Sequence, residues 1–333
     1  MKKRGFLSMY RRGLQVLCAR LGLISNNREL IYKSEYFGDQ VQQSMLTDFH
    51  QILEVEWSPD LDTQIYVIDE KDAQPTIAWD EDRVVAVGDF TALEERALDR
   101  RYTLFGNLGF LYRYIIYALE KHHQTYSFHA SAMYDEEQRE LWLIPGGAGA
   151  GKTVFLLSGL TRGFTIFSTE MTHLKITERG YEFYKGSLFD NVRVGNLTVD
   201  FPEAIERLHL SIPEVKDVWA TKIALDLKGV EASSDVLHDP PLHIIHPKVE
   251  SGRERAIVAE IGGKERLVKL LFDNATEKQG QTVLLYECLP VPSLDTPALM
   301  RERLKAIKEL VERAHIRTAK ATLCGARNCM EGI

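Results

Sequence analysis

Two hydrophobic periods divide the chain. Across roughly residues 50–90 short apolar runs recur: Ile52–Trp57, Thr63–Ile68, Thr76–Trp79 and Arg83–Val87. The turn-forming Ser58-Pro59-Asp60 and Asp80-Glu81-Asp82 separate them, which is the punctuation of strands and turns. A β-rich N-terminal portion follows. Over Thr91–Lys121 the period becomes helical, with Leu108, Leu111, Tyr112, Ile115, Ile116 and Leu119 on one face. Ahead of both, Phe6–Leu23 reads as a basic amphipathic helix with a solvated face.

Strand character returns at Tyr126–Tyr134, turns through Asp135–Gln138 and resumes at Glu140–Ile144, a predicted hairpin. A short apolar helix is expected over Val154–Leu160, stopped by Gly163, then a strand over Phe164–Phe167. A second hairpin crosses Gly180, joining Leu174–Ile176 to Tyr181–Tyr184. Trp219–Leu227 has β character. Pro240, Pro241 and Pro247 then interrupt the chain before a helix expected over Arg253–Phe272. Asp295-Thr296-Pro297 opens a last helix, with Met300, Leu304, Ile307 and Val311 at helical spacing. From about Thr322 the chain reads as a frayed tail. The expected organisation is a helix and β-rich portion over residues 1–121, an α/β domain with a central mixed sheet over 122–321, and a tail over 322–333.

Composition narrows the function. The chain of 333 residues is 44% hydrophobic and 27% charged, with a net charge of −7. These are the proportions of a globular protein, and the acidic balance excludes general nucleic-acid binding. The charge is uneven: residues 1–20 carry Lys2, Lys3, Arg4, Arg11, Arg12 and Arg20 with no acid. No apolar core or small-residue cleavage site follows, so this start is not read as a signal peptide. No apolar run is long enough to span a membrane; the closest, Leu104–Leu119, is interrupted by Asn107 and Arg113. Cys18, Cys288, Cys324 and Cys329 are too scattered for a disulfide framework and lack zinc spacing. Free thiols and a cytoplasmic location are expected.

The sharpest chemical signal lies between the predicted strand Leu141–Ile144 and the helix after it. Gly146, Gly147, Ala148, Gly149, Ala150, Gly151, Lys152 and Thr153 satisfy G-x-x-x-x-G-K-[ST]. Glycines let successive N–H groups curl around phosphate oxygens that a side chain would block. Lys152 brings a point charge to the β- and γ-phosphates, and the Thr153 hydroxyl can join a Mg²⁺ shell. The helix that starts near Lys152 turns its positive end towards the same anion.

Three segments in order, Phe128-His-Ala-Ser-Ala-Met133, Gly146–Thr153 and Arg162-Gly-Phe-Thr-Ile-Phe-Ser-Thr-Glu170, resemble the HPr kinase/phosphorylase and ATP-type phosphoenolpyruvate carboxykinase group of P-loop proteins. The resemblance covers about residues 126–176. It implies a P-loop domain with a central mixed sheet of that type and Mg²⁺-dependent phosphoryl transfer from ATP to a hydroxyl. It also implies a histidine at 129 and two acids around the γ-phosphate, one serving as base and the other holding metal. Thr169 and Glu170 fall at the acid positions, so only the second is a carboxylate. A threonine does not accept a proton at neutral pH as a carboxylate does.

The leading expectation is an ATP-dependent kinase acting on a hydroxyl of a small molecule, peptide or protein. His129, Lys152 and Glu170 are the expected catalytic residues, Thr153 and Glu170 the metal ligands. Ser187, Asp190 and Arg193, in a predicted loop, are candidates to meet the acceptor. The departure at Thr169 supports a rival, an ATP-binding regulatory partner of the same fold with little or no turnover. A hydrolase of another P-loop class lacks its downstream strand ending in Asp-Glu, and the basic and metal-binding set of a carboxykinase is absent.

Overall fold

Residues 10–25 form a β-hairpin, Tyr10–Val16 against Ala19–Ser25, where the basic spacing predicts a helix. Leu14, Val16, Ala19, Leu21 and Leu23 are buried at the alternating spacing of a strand. Gly13 and Gly22, paired across the hairpin, each disfavour a helix interior by about 1 kcal/mol. The structure, a computed structural model, describes residues 8–37, 48–80 and 82–333; Lys2, Lys3 and Arg4 lie outside them.

The chain divides into two compact units. One takes residues 1–47, 51–124 and 279–295, the other residues 48–50, 125–278 and 296–333. The first holds a six-stranded mixed sheet in the order Ile52–Val55, Tyr10–Val16, Ala19–Ser25, Thr63–Asp69, Arg83–Gly88, Thr76–Trp79. The helical stretch expected over Thr91–Lys121 is broken. It forms Phe90–Arg96, a single 3₁₀ turn at Arg100–Tyr102 and the long helix Phe110–His123. Asp89 and Asp99 accept main-chain N–H groups at the two new starts, which local capping makes cheaper than one continuous helix. Among the described residues, no helix is long and apolar enough to cross a membrane.

The second unit is a mixed α/β arrangement around a six-stranded sheet. Its order is Thr165–Ser168, Ala130–Asp135, Glu140–Pro145, Leu242–Val249, Ile316–Cys324, Ile257–Glu260. Side chains alternate across it. Ala132, Leu143, Ile244 and Phe167 face one core, with Leu267, Leu271, Ile307 and Leu310 from the helices Lys264–Gly280 and Pro297–Arg313. Met133, Ile144, Ile245 and Ile166 face the other, against Val154–Leu157 and Leu160 of the helix Lys152–Thr161. Each of these side chains larger than alanine contributes roughly 1.5–3 kcal/mol of burial. A four-stranded sheet, Val236–His238, Tyr181–Tyr184, Thr172–Ile176, Thr125–Phe128, adds Phe128, Leu174, Phe183 and Leu237 to the first core.

Three further expectations change. The helix expected over Arg253–Phe272 runs instead over Lys264–Gly280, after the strand Ile257–Glu260. Pro247 lies inside a strand, beyond the last residue paired with Glu140–Pro145, where its missing N–H breaks no ladder bond with that neighbour. The expected tail is packed: the strand Ile316–Cys324 runs through Thr322, and Cys324, Cys329 and Met330 are buried in the second core. Apolar residues spaced through the segment outweigh its terminal position. None of the four cysteines is joined in a disulfide among the described residues.

His173, on Thr172–Ile176, is fully buried, stacked under Phe49 at 5.9 Å with its Nδ1 2.8 Å from Ser127 Oγ. Burial pulls its pKa from 6.5 to about 3. Within that interval the unfolded chain takes up a proton that the fold excludes. Stability is therefore complete above pH 6.5 and is lost as the pH falls towards 3, by up to about 1.4 kcal/mol per pH unit. His173→Gln is expected to flatten this acid-side decline in thermal midpoint; parallel declines would contradict the assignment.

Candidate functional site

Strand direction brings the site together. The hairpin Ala130–Asp135/Glu140–Pro145 pairs Ala130 with Pro145, so the residue before one strand meets the residues after the other. Thr165–Ser168 runs antiparallel to Ala130–Asp135, and its C-terminal end emerges at the same edge. His129, Gly146–Thr153 and Thr169–Glu170 therefore converge at one sheet edge, where strand carboxyl ends of α/β sheets hold ligands. His129 is also a corner. The single strand expected over Tyr126–Tyr134 breaks there, and its halves Thr125–Phe128 and Ala130–Asp135 enter different sheets. Thr169–Met171 makes the matching passage between the partner strands.

The glycine loop turns into the helix at Gly151, which has φ +105°. A Cβ there would stand 2.2 Å from Val249 Cγ2, and Val249 N donates to Ala150 O at 3.1 Å. Gly149 has φ +80° but open space around it. Gly151→Ala is therefore expected to cost more than Gly149→Ala, which bears only the backbone strain of about 1–3 kcal/mol. Chemical denaturation of the two variants checks the order; equal losses would contradict it.

Lys152 opens the helix and is buried, its ammonium 2.8 Å from Gly146 O and 3.0 Å from His129 Nε2. Glu170 Oε2 lies 2.8 Å from His129 Nε2 and 3.6 Å from Lys152 Nζ. Burial pulls the Lys152 pKa below its ordinary value, against the attraction of Glu170. Burial also opposes ionisation of Glu170. The hydrogen bond from His129 and the charges of Lys152, His129 and Lys278 outweigh it and hold the carboxyl at about 2. The result is a buried ammonium, an imidazole and an ionised carboxylate within contact of one another beside a helix N-terminus, an arrangement suited to a phosphate and its metal.

Three contributors escape sequence reasoning. Glu277 Oε2 lies 2.9 Å from His129 Nδ1, in ion-pair contact on the ring's other side, and Asn274 Nδ2 donates to His129 O at 2.8 Å. The charge of Lys278 acts on Glu170, Lys152 and Glu277 together. All three belong to the helix Lys264–Gly280, whose last turn lies past the expected end at Phe272. The spacing of Leu267, Leu271 and Ala275, all buried, was the available signal.

The residues expected to meet an acceptor part company. Ser187 is buried in a turn in which its Oγ accepts from Phe189 N at 3.1 Å. Arg193 points elsewhere, donating to Trp219 O. Asp190 reaches the glycine loop: its Oδ2 accepts from Thr153 Oγ1 at 2.7 Å. Burial, reinforced by Glu170, pushes its pKa up to about 6. Thr169 donates to main chain, from N to Ser187 O at 2.8 Å and from Oγ1 to Phe189 O at 2.6 Å, and its own carbonyl accepts from Ser131 Oγ.

A second cluster gathers His50, Glu231 and Asp235 at ligating distances, alone of its kind among the described residues. The Lys185 ammonium already fills it, 2.7 Å from Glu231 and 2.8 Å from Asp235. The ion pairs of Lys185 with both carboxylates account for this group. No protein-family model and no curated protein matches the chain.

Proposed function

We propose that the chain is an ATP-dependent kinase that transfers the γ-phosphoryl group to a hydroxyl of a small molecule, peptide or protein. On this reading the second unit is a P-loop domain of the HPr kinase/carboxykinase type, acting in the cytoplasm. The observation that carries it is the contact set of Lys152 with His129 and Glu170 at the start of the helix Lys152–Thr161. Main-chain N–H groups of Gly146–Thr153 bind phosphate oxygens, and Lys152 moves its charge from the loop carbonyls to the β- and γ-phosphates. The Thr153 hydroxyl and the Glu170 carboxylate are hard oxygen donors of the kind Mg²⁺ selects, so the residues fit that ion. Bound Mg²⁺ supplies charge neutralisation at the transferring group. His129, held between Glu170 and Glu277, orients the acceptor hydroxyl beside the phosphates.

One observation favours a second reading, an ATP-binding partner with little turnover: the Thr169 hydroxyl is committed to Phe189 O. γ-Labelled ATP separates the two when incubated with the full chain and fractionated hydroxyl-bearing acceptors. The kinase reading predicts Mg²⁺-dependent labelling that falls in His129→Ala. ATP held without labelling or ADP release supports the partner reading.

A further inference from the structure

The acid absent at 169 has a counterpart at the same loop. The strand Phe189–Arg193 pairs with Lys222–Asp226 and alternates: Asp190 and Val192 are buried, Asn191 and Arg193 exposed. Val192 belongs to the apolar core under the helix Lys152–Thr161, yet its inward neighbour two residues earlier is a carboxylic acid. Burying a carboxyl costs several kcal/mol unless it is hydrogen-bonded or bound to a cation. An apolar side chain would pack there without that cost. The Asp190 carboxyl meets the Thr153 hydroxyl at 2.7 Å.

Thr169 explains how Asp190 gets there. Its main-chain N–H and hydroxyl hold Ser187 O and Phe189 O at 2.8 and 2.6 Å, and Phe189 N returns to Ser187 Oγ at 3.1 Å. The turn is thereby fixed on both sides of residue 188, and the next residue is Asp190. A carboxylate at 169 would set its oxygens against these two carbonyls and lose the hydroxyl donor, leaving only the main-chain N–H on Ser187 O.

We infer that Asp190 supplies the second carboxylate of the metal–nucleotide site, replacing the acid missing at 169, and that Thr169 is the positioning residue that directs it to Thr153. The inference rests on the kinase reading of the loop. On it, Thr153, Glu170 and Asp190, from three separate segments, would hold the metal, and the change at 169 relocates an acid rather than abolishing one.

The test is metal binding, read without turnover. Loss of the free Mn²⁺ paramagnetic resonance signal is titrated on the full chain with the non-hydrolysable AMP-PNP, beside AMP-PNP affinity in EDTA. Asp190→Asn is expected to weaken Mn²⁺ binding at least about 10-fold while leaving metal-free nucleotide affinity within about threefold. Thr169→Val, which keeps the carboxylate but frees its turn, is expected to fall between, and Thr169→Ser to match the wild type. Wild-type Mn²⁺ affinity in Asp190→Asn overturns the inference while leaving the loop assignment standing. If that variant does not fold, unchanged Mn²⁺ affinity in Thr169→Val overturns it. A wild type that binds no AMP-PNP overturns the loop assignment and this inference with it.

Discussion

Lys152→Met is expected to weaken MgATP binding by at least about 100-fold, or roughly 2.7 kcal/mol, without unfolding the chain. Methionine keeps the length and apolar stem of lysine but removes the ammonium. That group is buried beside Gly146 O, His129 and Glu170, so the lost charge is one that little water screens. Burial already disfavours the charged form of Lys152, which limits the folding cost of removing it. Glu170 retains its hydrogen bond from His129. Calorimetric titration gives the affinity and circular dichroism the fold. Unchanged affinity in a folded variant would end the phosphate-loop assignment.

Glu170→Gln should separate binding from transfer. The amide preserves shape but removes the anion that faces both His129 and Lys152. Transfer of label from γ-labelled ATP is expected to fall at least about 100-fold, while ATP affinity without metal changes less than about threefold. The sign of the pKa shift sets the pH behaviour. Glu170 is held at about 2, below its ordinary 4.5, so its contribution is complete above pH 4.5 and is lost only as the pH falls towards 2. A loss of transfer between neutral pH and 4.5 therefore belongs to another group. Labelling that survives Glu170→Gln and His129→Ala together would refute both roles while leaving a kinase in place.

What sequence makes legible here is what local physics decides. The strand Glu140–Pro145, the glycine loop and the helix Lys152–Thr161 are contiguous, and each follows from its own residues. The hairpin Thr172–Ile176/Tyr181–Tyr184 and the proline-started helix Pro297–Arg313 are local in the same sense. Long-range pairing hides the rest. Nothing around His129 announces that Phe128 and Ala130 belong to different sheets, because the break is imposed by Thr172–Ile176 on one side and Thr165–Ser168 on the other. Glu277 reaches His129 only because its helix begins at Lys264, after a strand that the expected helix had absorbed. The basic N-terminal run suggested a helix through charge spacing, whereas its apolar residues alternate as a strand does. Asp190 was visible as an acid in a segment of mixed chemistry, but its contact with Thr153 depends on how Thr169 holds the turn before it.

The central claim is that Gly146–Thr153 binds the phosphates of a nucleoside triphosphate. Isothermal titration of the full chain with MgATP, and separately with adenosine, tests it most directly. The account predicts saturable binding of one MgATP per chain and no measurable binding of adenosine, since the recognition it describes is directed at phosphate. Absence of saturable MgATP binding, or equal affinity for adenosine, would contradict it.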